Sequence, residues 1–282
     1  MRVATDIGGT FTDIVYIKAD GTVCFDKSHT TPPNFERGVM DVIDKCPIDP
    51  AEIQDLTHGT TVVINALTER KGAKTGLITT KGFRDTLEIG RGNRPDLFNF
   101  NFKKPESFVP RYLRLEVEER VDYQGSELTP LNEADVVRCV EALKKEGVEA
   151  VAVVYLHAYV NPSHEQRTEE IIRELWPEVE VTASYTVSKE WREYERSTTA
   201  VLNSYVKPTA KKYIDRLYDM LEAKNISAPK YIMQSNGGTT TFEKAKEVPI
   251  NMVESGPVAG IYGAAMLGKM LGEEKIIAFD IG

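Results

Sequence analysis

Residues 6–13 read Asp-Ile-Gly-Gly-Thr-Phe-Thr-Asp and lie between two short runs of strand character, Arg2–Asp6 and Phe11–Lys18. Gly21 marks a turn before a third run, Thr22–Lys27, and three short strands joined by tight turns make an antiparallel meander. The period then changes. Val39, Val42, Ile43 and Cys46 fall at i, i+3, i+4 and i+7, the stripe of an amphipathic helix. Within the first hairpin, a carboxylate at a strand end is followed by two glycines and then hydroxyl residues. Glycines let backbone N–H groups approach phosphoryl oxygens, and such concave amide nests favour anions. Gly8, Gly9 and Thr10 would meet the terminal phosphates, Thr12 would add a donor and Asp13 would orient the loop. Asp6 is placed to hold Mg2+ through water, because Mg2+ takes oxygen ligands and keeps several waters. A plain Gly-Gly turn with an Asp cap accounts for the glycines but not for the surrounding hydroxyls and carboxylates.

Further along, Asp55–His58 reads as a strand ending in Gly59, Thr60–Lys71 as a helix closed by Gly72, and Ala73–Thr79 as a strand feeding a short helix from Phe83. By fold-level analogy, strand-strand-strand-helix-strand-helix-strand is the order of the ribonuclease-H-like half-domain of actin-like ATPases. Gly90–Pro110 is irregular, and loops of that length are functional or mobile. Leu113–Val121 (strand), Glu133–Glu146 (helix), the apolar run Ala150–Leu156 (strand) and Ser163–Leu175 (helix) then suggest a small inserted α/β module. Lys189–Glu222 is helical, and Pro208 predicts a break into two helices. Lys230–Gln234 is a strand, Ser255-Gly256-Pro257 starts a helix to about Leu271, and Lys275–Asp280 is a last strand. The expected boundaries are 1–90 for the first part of the core, 91–190 for the module, and 191–282 for a helical segment returning to the core.

Asp280-Ile281-Gly282 repeats Asp6-Ile7-Gly8 after a strand, as if a second copy of the first motif begins there. Ala259, Gly260, Gly263 and Ala264 form a small-residue face on the preceding helix. Each helical glycine costs about 1 kcal/mol against Ala, so close approach of another backbone, helix or ligand is expected. Composition excludes several alternatives. With 41% hydrophobic and 28% charged residues, the chain is ordinary globular material rather than collagen-like or disordered. A net charge of −8 offers no sequence-blind attraction to nucleic acid or to an anionic membrane surface. There is no run of about 20 apolar residues to span a bilayer and no secretory signal at the N-terminus. Cys24, Cys46 and Cys139 have neither metal-ligand nor redox spacing, which suits a reducing compartment. A cytoplasmic protein is expected.

The motifs DIGGTFTD, HGTTVVINALTERKGA (His58–Ala73), GFRDTLEIGRGNRPDLF (Gly82–Phe98), ERSTTAVLNSYV (Glu195–Val206), MQSNGG (Met233–Gly238) and SGPVAG (Ser255–Gly260) resemble those of the hydantoinase A / 5-oxoprolinase family. Relatives of that family include the ATP-binding subunits of acetone and acetophenone carboxylases and of caprolactamase. The resemblance covers essentially the whole chain. It implies an α/β fold of the ribonuclease-H-like actin, sugar-kinase and heat-shock-ATPase superfamily, with the inserted module. It also implies ATP and Mg2+ as cofactors, with Gly256, Asp280 and Gly282 in a second phosphate motif and Asp280 as a further metal residue. Family members continue past this motif into a second half-domain, so the chain is expected to be the N-terminal portion of a longer enzyme and inactive alone. The implied chemistry is phosphorylation of a cyclic-amide carbonyl oxygen, as in hydantoin or 5-oxoproline, to give an imidoyl phosphate that water opens. A second subunit of hydantoinase B type is implied as partner. The alternatives are a ketone carboxylase subunit, a small-molecule kinase of the same superfamily, and a non-catalytic binding module.

Other candidates carry two readings each. Asp6 or His58 is the expected proton acceptor. His58, Thr60, Thr61 and Asn65 lie at a strand-to-helix junction, where free N–H groups favour an anion, or they simply cap and pack that junction. Arg91, Asn93 and Arg94 would clamp a substrate carboxylate or amide, or belong to a solvated loop. Ser235, Asn236, Gly237 and Gly238 form a ligand loop or a plain turn. Arg196, Ser197 and Thr198 recur in the family motif, and a polar helix start explains them nearly as well.

Overall fold

The computed structural model describes residues 1–93 and 96–279. In chain order the elements are β1 (Arg2–Ile7), β2 (Phe11–Ile17), β3 (Val23–His29), α1 (Phe35–Lys45), β4 (Asp55–Thr60), α2 (Val62–Thr68), β5 (Thr75–Thr80), α3 (Thr86–Ile89), β6 (Arg114–Val117), β7 (Arg120–Val121), β8 (Glu127–Thr129), α4 (Glu133–Lys145), β9 (Ala150–Val154), α5 (Ser163–Leu175), β10 (Glu180–Ala183), α6 (Ser184–Val187), α7 (Glu193–Ala223), β11 (Lys230–Met233), β12 (Thr239–Thr241), α8 (Phe242–Glu247) and α9 (Ser255–Leu271). They form two compact units, one of residues 1–71 and 209–282, the other of residues 72–208.

The first unit is built on a six-stranded sheet in the order β12-β11-β4-β1-β2-β3. β1, β2 and β3 are antiparallel neighbours, as the alternating sequence predicts, whereas β4 runs parallel to β1 and β11 parallel to β4. Strict alternation along β1 and β2 buries Val3, Thr5 and Ile7, then Thr12, Ile14 and Tyr16, and leaves Asp6 and Asp13 on the open face. Val39, Val42 and Ile43 of α1 are buried, at the helical spacing read from the sequence.

The β1–β4 pair holds a buried polar chain. Thr5 Oγ1 lies 2.7 Å from His58 Nδ1, and His58 Nε2 lies 2.5 Å from the hydroxyl of Tyr213 on α7. Burial pushes the His58 pKa down to about 3, so the imidazole is neutral and one ring nitrogen donates while the other accepts. Both ring nitrogens are satisfied, which is the condition for keeping such a group in a core.

The second unit is centred on a parallel four-stranded sheet, β10-β9-β5-β6. Every residue of β5 and β9 is buried, consistent with strands covered on both faces. The sequence reading places the insertion at residue 91, but β5 already belongs to this sheet and the unit begins at Gly72. Gly72 itself is required there: a Cβ would lie 2.2 Å from the Tyr205 ring.

Charged groups are concentrated at the C-terminal ends of these strands. Glu165 accepts hydrogen bonds from the Tyr155 amide (2.9 Å), the Ser184 hydroxyl (2.6 Å) and the Tyr185 amide (3.0 Å). Burial still raises its pKa to about 7. Arg196, wholly buried, donates to the carbonyls of Tyr155 (2.5 Å) and Glu190 (3.0 Å), so Tyr155 is held at both its amide and its carbonyl. His164 bridges Glu119 (2.8 Å) and Glu127 (2.9 Å). Burial disfavours its charged form, but the two carboxylates outweigh that and raise its pKa.

Two expectations from sequence are corrected. α7 is continuous through Pro208 rather than two helices. An interior proline costs about 3 kcal/mol. Burial of Val201, Tyr205 and Val206 before it and of Ile214, Leu217 and Leu221 after it offsets that cost. Residues 275–279 form no strand, since a ladder needs a partner and none lies beside them among the described residues.

Buried groups in the two units contribute to stability with opposite dependence on pH. Folded Glu165 and His164 bind protons more tightly than their unfolded forms. Their contribution is therefore full at low pH and is lost as pH rises, from 4.5 to about 7 for Glu165 and from 6.5 through the raised value for His164. For His58 the folded pKa is depressed, so its contribution is full above 6.5 and lost as pH falls toward about 3. In native-state hydrogen exchange, His58 should withdraw protection from β4 and Glu165 add protection to β9 as pH falls, each with a limiting slope of about 1.4 kcal/mol per pH unit, the latter against the opposing contribution of the lowered carboxylates Asp85, Glu133 and Glu195. Glu165→Gln should flatten the β9 slope; an unchanged slope would exclude Glu165 as its source.

Loss of a single hydroxyl tests the buried chain. Tyr213→Phe leaves one His58 nitrogen without a partner and should cost about 1–3 kcal/mol in urea denaturation. A neutral result would mean that this nitrogen finds another partner.

Candidate functional site

The parallel strands β1, β4 and β11 end at one edge of the first unit's sheet, and ligands of open α/β sheets bind beyond such C-terminal strand ends. The Gly8–Thr10 turn follows β1 directly. Gly8 N–H donates to the Phe11 carbonyl (2.9 Å), closing the hairpin, so this amide is not available to a phosphate as the sequence suggests. The Gly9 and Thr10 amides donate to no backbone carbonyl among the described residues. A Cβ on Gly9 would meet no atom within 4 Å, so the turn faces open space. From behind, Thr30 braces it: its hydroxyl donates to the Gly8 carbonyl (2.9 Å) and its amide to the Thr10 carbonyl (2.9 Å).

Asp6 and Asp13 stand directly opposite in the β1–β2 register, both on the exposed face. Lys27 of β3 is the next register partner, across from Asp13. Like charges placed opposite one another destabilise a sheet, and a cation relieves them. Thr12 does not join this group. The pleat turns it to the buried face, where its hydroxyl lies 3.3 Å from that of Thr30, so it packs the hairpin rather than lining the loop.

The strand-to-helix junction is mainly structural. His58 and Thr60 are buried, and Thr60 Oγ1 accepts from the Val62 amide (3.3 Å). Thr61 Oγ1 donates to the Ile7 carbonyl (3.3 Å) and accepts from Asn65 Nδ2 (3.3 Å), which ties α2 to the end of β1. Ser255 Oγ donates to the Thr60 carbonyl (3.4 Å), so α9 begins beside β4. In the turn after β11, the Ser235 hydroxyl donates to the Asn251 carbonyl (2.8 Å) and Asn236 Oδ1 accepts from the Gly238 amide (2.9 Å). Gly237 has φ +81°, and a Cβ there would lie 2.1 Å from the Tyr262 ring. These contacts shape a plain turn.

Some candidates lie elsewhere or outside the described residues. Arg91 is exposed in the second unit and pairs with Glu195. Asn93 is exposed, and Arg94, Asp280 and Gly282 fall outside the described residues. Gly256 is half-buried with open space at its Cβ position. Gly260 and Gly263 likewise meet nothing within 4 Å, so the close approach expected at the small-residue face is not met among the described residues. Arg196 and Ser197 lie near the start of α7, as a polar helix start would place them, and both are buried there. Sequence reasoning missed Gly59, whose Cβ position falls on the Asp6 carboxylate, and Tyr213, which reaches His58 across 155 positions. The alternation of β1 could have pointed to Thr5 as a buried partner; no local signal points to Tyr213.

No group of three or more His, Cys, Asp or Glu side chains able to hold a metal exists among the described residues. No helix there is long and apolar enough to cross a membrane.

Residues 2–176 match the hydantoinase/oxoprolinase N-terminal region and residues 196–282 match hydantoinase/oxoprolinase. The chain is 34% identical to the caprolactamase alpha subunit of Pseudomonas jessenii over 100% of its own length and 42% of that protein. It is 29% identical to the 5-oxoprolinase of Saccharomyces cerevisiae, covering 100% of this chain and 25% of that one. The crystal structure of the ATP-dependent caprolactamase superposes with a TM-score of 0.87 at 32% identity, covering 100% of this chain and 42% of that one. A nucleotide-free acetone carboxylase structure also gives 0.87, at 27% identity over 96% of this chain and 41% of that one. The chain thus spans less than half the length of these relatives and shares their actin-like ATPase type of fold. With both parts of the sequence matched in order, the chain belongs to the hydantoinase/oxoprolinase family.

Proposed function

We propose that this chain is the N-terminal part of an ATP-dependent cyclic-amide hydrolase in which the β1–β2 hairpin holds the terminal phosphates of a magnesium nucleotide. The observation that carries the proposal is the Asp6–Asp13 pair on an open sheet face beside the Gly9 and Thr10 amides. The donor set fits. Mg2+ is commonly held by one or two carboxylates together with waters and substrate phosphates, so a third protein ligand is not needed. When bound, magnesium ATP supplies the phosphoryl group that activates an amide oxygen toward ring opening.

The chain's own residues contribute position and charge. Asp6 and Asp13 would hold the cation and the Gly9 and Thr10 amides with the Thr10 hydroxyl would donate to phosphoryl oxygens, while Thr30 keeps the turn in shape. Preorganised donors of this kind are the main catalytic resource in phosphoryl transfer. His58, buried with both nitrogens engaged, is assigned to fixing β1 against β4, which leaves Asp6 as the candidate proton acceptor. Asp280 and Gly256 are retained as residues of a second phosphate motif. Arg91, Asn93 and Arg94 with the Ser235–Gly238 turn are kept as substrate candidates.

Caprolactamase and 5-oxoprolinase, which act on cyclic amides, support a cyclic-amide substrate such as hydantoin or 5-oxoproline. The equal TM-score of acetone carboxylase favours ketone carboxylation as a second reading. Several relatives are named as subunits, which supports a partner subunit; its hydantoinase B type is part of the proposal. A panel of 5-oxoproline, hydantoin, caprolactam, and acetone with bicarbonate decides between the readings, using the full-length protein with its partner. ADP with an opened ring is expected. A carboxylated ketone would establish the second reading, and a stable phosphorylated product would establish a kinase.

Asp6→Ala in that complete enzyme should reduce substrate-dependent ADP release by about 100-fold or more, since lost metal positioning removes several kcal/mol of transition-state stabilisation. Circular dichroism should stay unchanged, because Asp6 is exposed. Retention of more than about a tenth of the rate, a loss under about 1.4 kcal/mol, would remove Asp6 from the chemistry.

A further inference from the structure

Asp6 and Gly59 are register partners in the parallel β1–β4 pair. A Cβ built on Gly59 would lie 2.3 Å from Asp6 Oδ1, 3.2 Å from its Cγ and 3.6 Å from its Cβ, and these three atoms, all of Asp6, are its nearest neighbours. The Asp6 carboxylate therefore occupies the volume that any side chain at position 59 would fill. Gly59 does not have a positive φ, so its backbone conformation is open to any residue and gives no other reason for glycine.

Contacts on either side keep the strands from sliding apart to relieve a clash. Thr5 is tied to His58 one position before the pair, and Thr61 Oγ1 to the Ile7 carbonyl just after it. A methyl group at 59 would therefore displace the carboxylate rather than the backbone.

We propose that Gly59 is a positioning residue: its missing side chain sets where the Asp6 carboxylate lies. The consequence for metal binding rests on the assignment of Asp6 to the magnesium nucleotide made above, whereas the packing relation does not.

A double-mutant cycle on the full-length protein tests the packing relation. Gly59→Ala alone should lower the urea midpoint. In an Asp6→Ala background the same substitution should be neutral or raise the midpoint, because the clash is gone and alanine restricts the unfolded chain more than glycine. Equal effects in both backgrounds would overturn the proposal. If Gly59→Ala alone does not fold, rescue by Asp6→Ala supports it and failure of the double variant overturns it.

Calorimetric titration with Mg2+ and a non-hydrolysable ATP analogue supplies the second reading. Gly59→Ala should weaken binding by about tenfold or more, as loss of ligand orientation typically does. Coupling in the cycle with full binding retained by both Gly59→Ala and Asp6→Ala would uphold the positioning role and overturn the metal assignment of Asp6. Weakened binding by Asp6→Ala, with Gly59→Ala uncoupled and binding normally, would uphold the metal assignment and overturn the positioning role.

Discussion

The parallel register of β1 and β4 is the constraint on which the candidate site depends. A shift of one residue would exchange the two faces of β1, burying Asp6 and exposing Thr5 and Ile7. The hydrophobic pattern opposes that shift, and so does the Thr5–His58–Tyr213 chain, whose members find partners in one register only. Because His58 is neutral and wholly enclosed, the chain acts as a set of directional bonds rather than as charge. An apolar trio of similar volume would fill the same space but would tolerate slippage. Polar groups that must be satisfied make a wrong register expensive, by about 1–3 kcal/mol for each orphaned group.

The second unit uses buried polarity differently. Its charged groups collect where the parallel strands of its sheet end, and they hold the peptides there rather than the register. The Tyr155 amide meets Glu165 and the Tyr155 carbonyl meets Arg196, so the chain leaving β9 is fixed at one residue through two successive peptide groups. His157, two residues later, has a φ of 58°, a left-handed conformation that a non-glycine residue adopts only where its surroundings over-determine it. The clamp on Tyr155 is part of those surroundings. Glu165 carries the cost of this arrangement in its pKa of about 7: three donors favour the carboxylate, yet burial opposes it more strongly.

How far these features can be read from sequence depends on whether they are local. The β1–β3 meander, the α1 stripe and the enclosed β9 are set by periodicity within a few residues, and they appear where the pattern puts them. The turn chemistry of Gly8 and Gly9 was also legible, but the division of labour within it was not. Which amide closes the hairpin depends on a carbonyl three residues away whose direction follows from the pleat. Thr12 shows the same limit, since a hydroxyl in a promising motif can sit on the buried side of a strand. Pro208 misled because propensity is a local cost, whereas the burial that offsets it along α7 is tertiary. Partners such as Tyr213 for His58, or Gly59 for Asp6, exist only once strands distant in sequence are paired, so no single-chain pattern announces them.

The Asp6–Asp13 pair gives the strongest physical reason for reading this edge as a site rather than as scaffold. Two carboxylates set across from each other on neighbouring strands repel. Lys27 is the register partner of Asp13 on the outer strand and lies over the Phe11 ring at 4.7 Å. A sheet selected for stability alone would place a threonine, or a residue of opposite charge, at one of these positions. The proposed divalent cation would offset that repulsion, and the adjoining Gly9–Thr10 amides would then be placed for the anion such a cation carries with it. Repulsion between the two carboxylates and attraction to a divalent cation are the same electrostatic property, and that property links this fold to the phosphoryl chemistry proposed for it.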